Sequence, residues 1–279
     1  MKFSIVDVFA ERPLQGNQLA VVEDAAALST EQMQDIAREM NYSETTFVTE
    51  AGEARARVRI FTPEWELPFA GHPTLGTAWV LGRGRGVYTL ELDVGPVQVT
   101  FEEDTHKDEL AWMVPPPVRF DGTFPAEQAA ALVGLSEQQL DGDFPVRLAE
   151  VGPKFVLIGV RDLAALRAAR LDESLHQEHL AAGVGVQCVF VFSAEPYSPA
   201  AQFSARMFFE SGGVREDPAT GSANSAFAAY LRDLGWSGRQ VLVDQGMEIR
   251  RPSRLYLDLR DPLRVGGKVQ PVAAGTLNF

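Results

Sequence analysis

The sequence contains a single cysteine, Cys188, among its 279 residues. One thiol excludes a disulfide within the chain and any mechanism that needs two cysteines, and it fits a reducing compartment. No apolar run approaches the roughly 20 residues that a membrane-spanning helix needs. The N-terminus also lacks the apolar stretch and small-residue cleavage site of a signal peptide. We therefore expect a soluble, cytoplasmic protein that does not enter a membrane.

Basic residues are outnumbered: the chain has 25 lysines and arginines against 38 acidic residues, a net charge of −13. Nucleic-acid surfaces need clustered Lys and Arg, so we expect no nucleic-acid partner.

The glycine-rich run 82–86 follows a predicted helix rather than a strand, so it is not a dinucleotide fingerprint. His176 and His179 lie on a polar helical segment without a third ligand nearby, so we expect them at the surface and expect no metal site.

What the sequence does contain is nearly the same segment twice, at a constant offset of 150 residues. Residues 66–78 read ELPFAGHPTLGTA and residues 216–228 read EDPATGSANSAFA, so Glu, Pro, Gly and Ala recur in register. A strand-like run precedes each copy, at 58–61 and 205–208, and a helical run follows it. The repeat predicts two similar halves that could close a site between them, because domain interfaces are a preferred place for pockets.

The apolar patterns predict a mixture of strands and helices in both halves. The predicted helices lie near 30–40, 72–82, 126–140, 162–181 and 222–234, and Ser29 is the predicted N-cap of the first. The predicted strands lie near 2–9, 18–22, 45–49, 56–62, 87–93, 96–103, 110–115, 154–160, 189–193, 201–209, 240–244, 254–260 and 267–278. Their alternation favours antiparallel or mixed pairing. We predict an α+β fold in which each half is a curved sheet around a central helix.

Gly71 and Gly221 stand where a loop becomes a helix in each copy of the repeat. Helix N-termini carry unpaired N–H groups and a positive dipole end, and glycine lets a ligand approach the backbone closely. Two such termini would suit a carboxylate or phosphate. The alternative is that both glycines only form tight turns. His72 and Ser222 follow the glycines, and their place at a repeated helix start makes them candidates as well.

Two carboxylates are candidates for acid–base chemistry. Asp217 is matched by Leu67 in the first copy, so the shared fold does not demand an acid there. Glu44 stands at the mouth of an apolar strand, where partial burial would raise its pKa and suit a proton shuttle near neutral pH. The alternative for Glu44 is a solvated carboxylate in a turn.

Six segments carry a resemblance to a known family: 13–17, 40–48, 59–63, 66–76, 216–223 and 245–249. Together they resemble the PhzF-type phenazine biosynthesis isomerase family, which has the diaminopimelate epimerase fold. The resemblance implies two domains of matching topology, 1–117 with the returning segment 264–279 and 118–263, with the active site between them. It also implies a homodimer and no metal, pyridoxal phosphate or nucleotide.

The resemblance assigns roles to individual residues. It implies that Glu44 is the general acid/base and that His72, Asp217 and Ser222 surround a small carboxylate substrate, whose carboxylate the amides of Gly71 and Gly221 hold. Two further residues of the matching segments, Asn17 and Ser43, are expected to contact substrate. The family member of known role converts trans-2,3-dihydro-3-hydroxyanthranilate to its keto isomer.

The related two-thiol epimerases have cysteines near the positions of Ala70 and Thr220, where this chain has no thiol. A two-base thiol racemase is therefore disfavoured. Our first hypothesis is a cofactor-independent isomerase that moves a proton within a small cyclic or unsaturated carboxylic acid. The alternatives are a cofactor-free epimerase or racemase of a small acid and a small-acid binding protein without turnover.

Overall fold

The computed structural model describes residues 1–83, 85–103, 108–184, 186–210 and 214–278. The chain divides into two compact units, Met1–Pro115 together with Arg264–Phe279, and Pro116–Leu263. Strands and helices are numbered along the whole chain. No helix in the described part is long and apolar enough to cross a membrane.

The first unit contains two helices and ten strands among its described residues. Its helices are α1 (Thr30–Met40) and α2 (Gly71–Gly82). Its strands are β1 (Lys2–Val8), β2 (Asn17–Val22), β3 (Glu44–Ala51), β4 (Arg55–Phe61), β5 (Glu66–Leu67), β6 (Val87–Leu92), β7 (Gly95–Glu103), β8 (Glu109–Met113), β17 (Arg264–Gly267) and β18 (Val269–Thr276).

The strands of the first unit form one sheet wrapped around α2. Their order is β18-β1-β2-β3-β4-β6-β7-β8-β17, with β5 beside β4. Among the pairs that the described residues form in this unit, β2–β3 and β4–β6 are parallel and the others are antiparallel. The outermost strands, β17 and β18, are separated by Lys268 alone, so the two ends of the sheet are adjacent in the chain. Helix α2 is buried along most of its length and contacts β1, β2, β3, β6, β7, β8 and β18.

Close packing of α2 depends on Gly76. A Cβ atom at this position would lie 2.6 Å from a Leu19 methyl and 2.7 Å from a Val8 methyl. Such distances are far below van der Waals contact, so only glycine lets the helix axis approach β1 and β2 this closely.

The second unit contains four helices and eight strands among its described residues. Its helices are α3 (Ala126–Leu132), α4 (Leu163–Ala168), α5 (Glu173–Ala181) and α6 (Gly221–Asp233). Its strands are β9 (Arg119–Thr123), β10 (Arg147–Glu150), β11 (Lys154–Gly159), β12 (Cys188–Ser193), β13 (Phe203–Glu210), β14 (Val214–Asp217), β15 (Gln240–Gln245) and β16 (Ser253–Asp258).

The second unit repeats the strand order of the first from β18 to β7. The order is β9-β10-β11-β12-β13-β15-β16, with β14 beside β13, and the parallel pairs are β11–β12 and β13–β15. Each pair of neighbouring strands is parallel or antiparallel as its counterpart in the first unit is. The repeat in the sequence is therefore also a repeat of topology, and the predicted α+β class is confirmed.

Local signals explain where α1 begins and ends. Ser29 is the N-cap that the sequence predicts, and it forms a reciprocal capping box with Gln32. Asn41 ends the helix with φ +52°. Met33, Ile36 and Ala37 are buried on one face of the helix.

The structure divides one predicted region of the second unit and corrects another prediction. The helical region expected over 126–140 consists of α3, which ends at Leu132 before Gly134 adopts φ +66°, and a 3-10 helix at Glu137–Gln139. His176 was expected at the surface, but only 1% of it is exposed. Helix α5 packs against α3, so one side of a helix that reads as polar is covered by tertiary contacts.

Candidate active site

Three of the predicted residues meet where α2 begins. His72, the second residue of α2, has Nε2 3.4 Å from Oε2 of Glu44 and Nδ1 3.2 Å from Nδ2 of Asn17. Asn17 and Glu44 are the first residues of β2 and β3, which are parallel neighbours with Leu19 opposite Glu44. Parallel strands begin at the same edge of a sheet, and this edge is where α2 starts.

His72 is neutral at neutral pH. Burial lowers its pKa to about 3, and a hydrogen bond with the Gln18 backbone acts in the opposite direction. A neutral imidazole has one donor and one acceptor nitrogen. His72 therefore stands beside the Glu44 carboxylate as a neutral ring rather than as a positive charge.

The neutral state of His72 predicts a pH dependence of stability. The unfolded chain binds a proton at this imidazole below about pH 6.5, whereas the folded chain does so only near pH 3. Protonation of His72 in the unfolded chain therefore costs no stability above pH 6.5, and the free energy of unfolding decreases as the pH falls from 6.5 towards 3. We expect wild type to lose about 2–3 kcal/mol more than His72→Asn between pH 6.5 and 4.5. Urea unfolding at several pH values measures this difference, and parallel pH profiles would contradict the neutral, buried assignment.

The start of α2 has the features of an anion site. Its N-cap, Ala70, has no side-chain cap, and Gly71 and His72 are buried. The Ala70 carbonyl accepts a hydrogen bond from the Thr74 hydroxyl at 2.7 Å. N–H groups at an uncapped helix start, together with the helix dipole, favour a negatively charged ligand. Ser43 lies directly before β3 and is partly buried.

Asp217 is held in a buried network in the second unit. It is the last residue of β14 and is 6% exposed. Its Oδ2 accepts a short hydrogen bond from the Thr220 hydroxyl. Gln245, which is fully buried, donates from Nε2 to Thr220 Oγ1 at 3.1 Å and to the Asp217 carbonyl at 2.9 Å. The network ties the Asp217 carboxylate to the residue that precedes α6.

The start of α6 repeats the start of α2. Its N-cap, Thr220, likewise has no side-chain cap, and Gly221 and Ser222 are buried. The Asn224 amide donates to the Thr220 carbonyl at 3.0 Å. In the first copy the matching residue, Thr74, donates to the Ala70 carbonyl. The second unit therefore presents an equivalent site for a negative group, next to Asp217 instead of beside a histidine.

The repeated glutamate forms the same ion pair in both units. Arg59 donates to both oxygens of Glu66 at 2.6 Å, and Arg206 donates to those of Glu216 at 3.0 and 2.7 Å. Each guanidinium also lies over the phenylalanine two residues later. These pairs fasten β5 and β14, the short strands that lead into the two helix starts. The repeated glutamate is therefore structural.

Four residues of these arrangements were not singled out in the sequence: Arg59, Arg206, Thr220 and Gln245. A signal existed for the arginines, since each stands at the same place in the strand before a copy of the repeat. Gln245 lies within one of the segments that carry the resemblance. In the described part of the chain, no group of three or more His, Cys, Asp or Glu is arranged to hold a metal ion.

Comparison with known proteins identifies the family. The model of the phenazine biosynthesis-like proteins, PhzC-PhzF, matches residues 6–275. This chain belongs to the PhzC-PhzF family. The trans-2,3-dihydro-3-hydroxyanthranilate isomerase of Pseudomonas aeruginosa is 40% identical, and the match covers 91% of this chain and 89% of that protein. Because PhzC-PhzF relatives at this level of identity are isomerases, the chain is an enzyme of that class.

Solved structures of the PhzC-PhzF family have the same fold. A PhzF-family protein from Bacillus anthracis superposes with a TM-score of 0.89 at 23% identity, covering 100% of this chain and 99% of that one. A predicted epimerase from Pseudomonas aeruginosa has a TM-score of 0.84 at 34% identity, covering 99% of this chain and 98% of that one. The predicted epimerase-like architecture is confirmed.

Proposed function

We propose that this chain moves a proton within a small cyclic or unsaturated carboxylic acid. The first candidate is trans-2,3-dihydro-3-hydroxyanthranilate, the substrate named for its 40% identical relative. One observation carries the proposal: a partly buried carboxylate and a neutral imidazole, 3.4 Å apart, stand at a helix start without a side-chain cap. The carboxylate can accept and return a proton, and the helix start can bind an acid.

Glu44 is the proposed general base and acid. Its carboxylate removes a proton from one substrate carbon and delivers it to another, so the C–H bond that breaks is balanced by the one that forms. Nε2 of His72 lies 3.4 Å from one oxygen of this carboxylate. Because His72 has a pKa of about 3, it does not compete near neutral pH for the proton that Glu44 carries. This acid–base step requires no cofactor.

Residues of both units are proposed to act on the same substrate. The N–H groups of Gly71 and Gly221 would bind its carboxylate, because each belongs to a helix start without a side-chain cap. Asp217 is the proposed second acid–base or orienting group. Ser222 and Ser43 are proposed contacts to substrate. Asn17, which was expected to contact substrate, is proposed to orient His72 through their hydrogen bond.

The test is to add purified protein to trans-2,3-dihydro-3-hydroxyanthranilate, follow its ultraviolet absorbance, and identify the product by proton NMR in deuterated water. We expect the absorbance to fall as the conjugated system rearranges, with a rate proportional to enzyme concentration. An unchanged spectrum with no exchange of a substrate C–H would contradict this substrate. A panel of small cyclic carboxylic acids would then test the wider proposal.

The same experiment separates the alternatives. An epimerase, the activity predicted for the 34% identical solved relative, would exchange a C–H with solvent and invert a stereocentre without moving a double bond. A binding protein would retain affinity for the acid without any exchange at carbon. Both outcomes contradict the isomerisation of this acid.

We also propose that the enzyme is a cytoplasmic homodimer, as the resemblance implies. Light scattering after size-exclusion chromatography would give twice the chain mass of 30.5 kDa for a dimer. A single-chain mass at micromolar concentration would contradict it.

A further inference from the structure

The two units can be matched residue by residue around their helix starts. Phe61 of β4 pairs with Glu66, and Phe208 of β13 pairs with Glu216. β4 and β13 are therefore equivalent, and each places a phenylalanine opposite the repeated glutamate. β6 is parallel to β4, and β15 is parallel to β13 in the same register. Both strands have six residues, so their last residues, Leu92 and Gln245, are equivalent.

The hydrogen-bonded network of the second unit has no polar counterpart in the first. Its members are Asp217, Thr220 and Gln245. Their equivalents in the first unit are, in the same order, Leu67, Ala70 and Leu92. The same fold therefore accepts apolar side chains at these three positions. Burying polar groups costs free energy unless each is hydrogen-bonded, so their joint presence beside one helix start points to a use other than folding.

The side-chain groups that can only donate decide which atom donates and which accepts in each hydrogen bond of the network. The Gln245 amide nitrogen can only donate, and it occupies an acceptor site on the Thr220 hydroxyl oxygen. The hydroxyl proton is therefore left for Oδ2 of Asp217. The Gln245 carbonyl oxygen in turn accepts from the Asn224 amide at 3.0 Å and from the Thr220 N–H at 3.4 Å. These two donors prevent the Gln245 amide from flipping.

We propose that Thr220 and Gln245 are positioning residues, which hold the Asp217 carboxylate in one orientation for reaction with the substrate. The inference rests on the proposed function, since it requires Asp217 to act on the substrate. A misplacement of about 1 Å at a reacting group can cost about 100-fold in rate. Loss of the donor would therefore lower turnover while substrate binding by the helix starts remains.

The test compares Thr220→Val, which removes the hydroxyl and keeps the branched shape, with Thr220→Ser, which keeps the hydroxyl. We expect Thr220→Val to lower kcat by about 10- to 100-fold, with KM changed by less than about three-fold. Thr220→Ser should restore kcat to within about three-fold of wild type. The matched control is Ser225→Ala, which removes a buried hydroxyl whose hydrogen bond goes to the Gly221 carbonyl in the same helix.

Crystal structures of the same variants give a second readout that does not depend on the substrate. We expect Asp217 in one rotamer in wild type and Thr220→Ser, and in more than one in Thr220→Val. An unchanged Asp217 rotamer in Thr220→Val would overturn the inference. If Thr220→Val folds poorly, Gln245→Glu replaces it, since its carboxylate cannot donate to Thr220 and draws the hydroxyl away from Asp217.

The double variant Asp217→Asn/Thr220→Val separates this inference from the proposed function. If Thr220 acts through Asp217, adding Thr220→Val to Asp217→Asn should cost less than about three-fold further. Full activity of Asp217→Asn would show that the proposed role of Asp217 fails. An impaired Asp217→Asn together with a fully active Thr220→Val would overturn the positioning role alone.

Discussion

Glu44→Gln is expected to lower kcat by at least about 10²–10⁴-fold, the usual contribution of a general acid or base. The amide keeps the shape of the carboxylate and can still contact His72, but it cannot accept a proton from carbon. Substrate affinity should change by only a few-fold, because the helix-terminal amides that bind the substrate carboxylate are untouched. Single-turnover rates and ligand titration measure the two effects separately.

Asp217→Asn is the informative comparison for that variant. It removes the other candidate carboxylate and leaves Glu44 and His72 unchanged. If Glu44→Gln turned over within a few-fold of wild type while Asp217→Asn did not, Glu44 would not be the proton carrier. Asp217 would then take that role, and the family and fold would stand unchanged.

Arg206→Met is expected to lower the free energy of unfolding by about 3–5 kcal/mol, the usual cost of removing one partner of a buried ion pair. The side chains of Arg206 and Glu216 are only 4% and 9% exposed. Arg206 also donates to three carbonyls at the end of α4, those of Leu166, Arg167 and Ala169. Its loss would leave a buried carboxylate and these carbonyls without their donor.

The equivalent pair in the first unit is the matched control. Arg59 and Glu66 have the same two-bond geometry, but each side chain is 28% exposed. Water can therefore solvate the partner that remains, and Arg59→Met should cost only about 1 kcal/mol. Urea unfolding followed by circular dichroism compares the two variants, and equal losses would show that burial does not decide the cost.

The repeat predicts much of what the structure contains. Glycine followed by an apolar run is typical of a helix start, so the beginnings of α2 and α6 at Gly71 and Gly221 could be placed from the sequence. The local capping signal at Ser29 was equally reliable. The family, the α+β class and the isomerase activity are confirmed by the fold and the relatives, and the residue roles stay proposals.

Contacts between residues distant in sequence could not be predicted in this way. Gln245 donates a hydrogen bond to the carbonyl of Asp217, which lies 28 residues earlier in the chain. The two residues meet because β14, which precedes α6, and β15, which follows it, both pair with β13. The order of residues along the chain does not predict how β14 and β15 are aligned against β13. The burial of His176 was missed for a similar reason, since helix packing rather than local polarity decides its exposure.

The central proposal is that residues of both copies of the duplicated motif act on one substrate. A crystal structure with an unreactive carboxylate analogue of the substrate tests it most directly. The account predicts that the carboxylate of the analogue accepts hydrogen bonds from the Gly71 or Gly221 amide, with Glu44 and Asp217 both in contact with the bound molecule. An analogue bound elsewhere, or Glu44 and Asp217 more than about 15 Å apart, clearly beyond the spacing of paired carboxylates that flank one substrate, would contradict it.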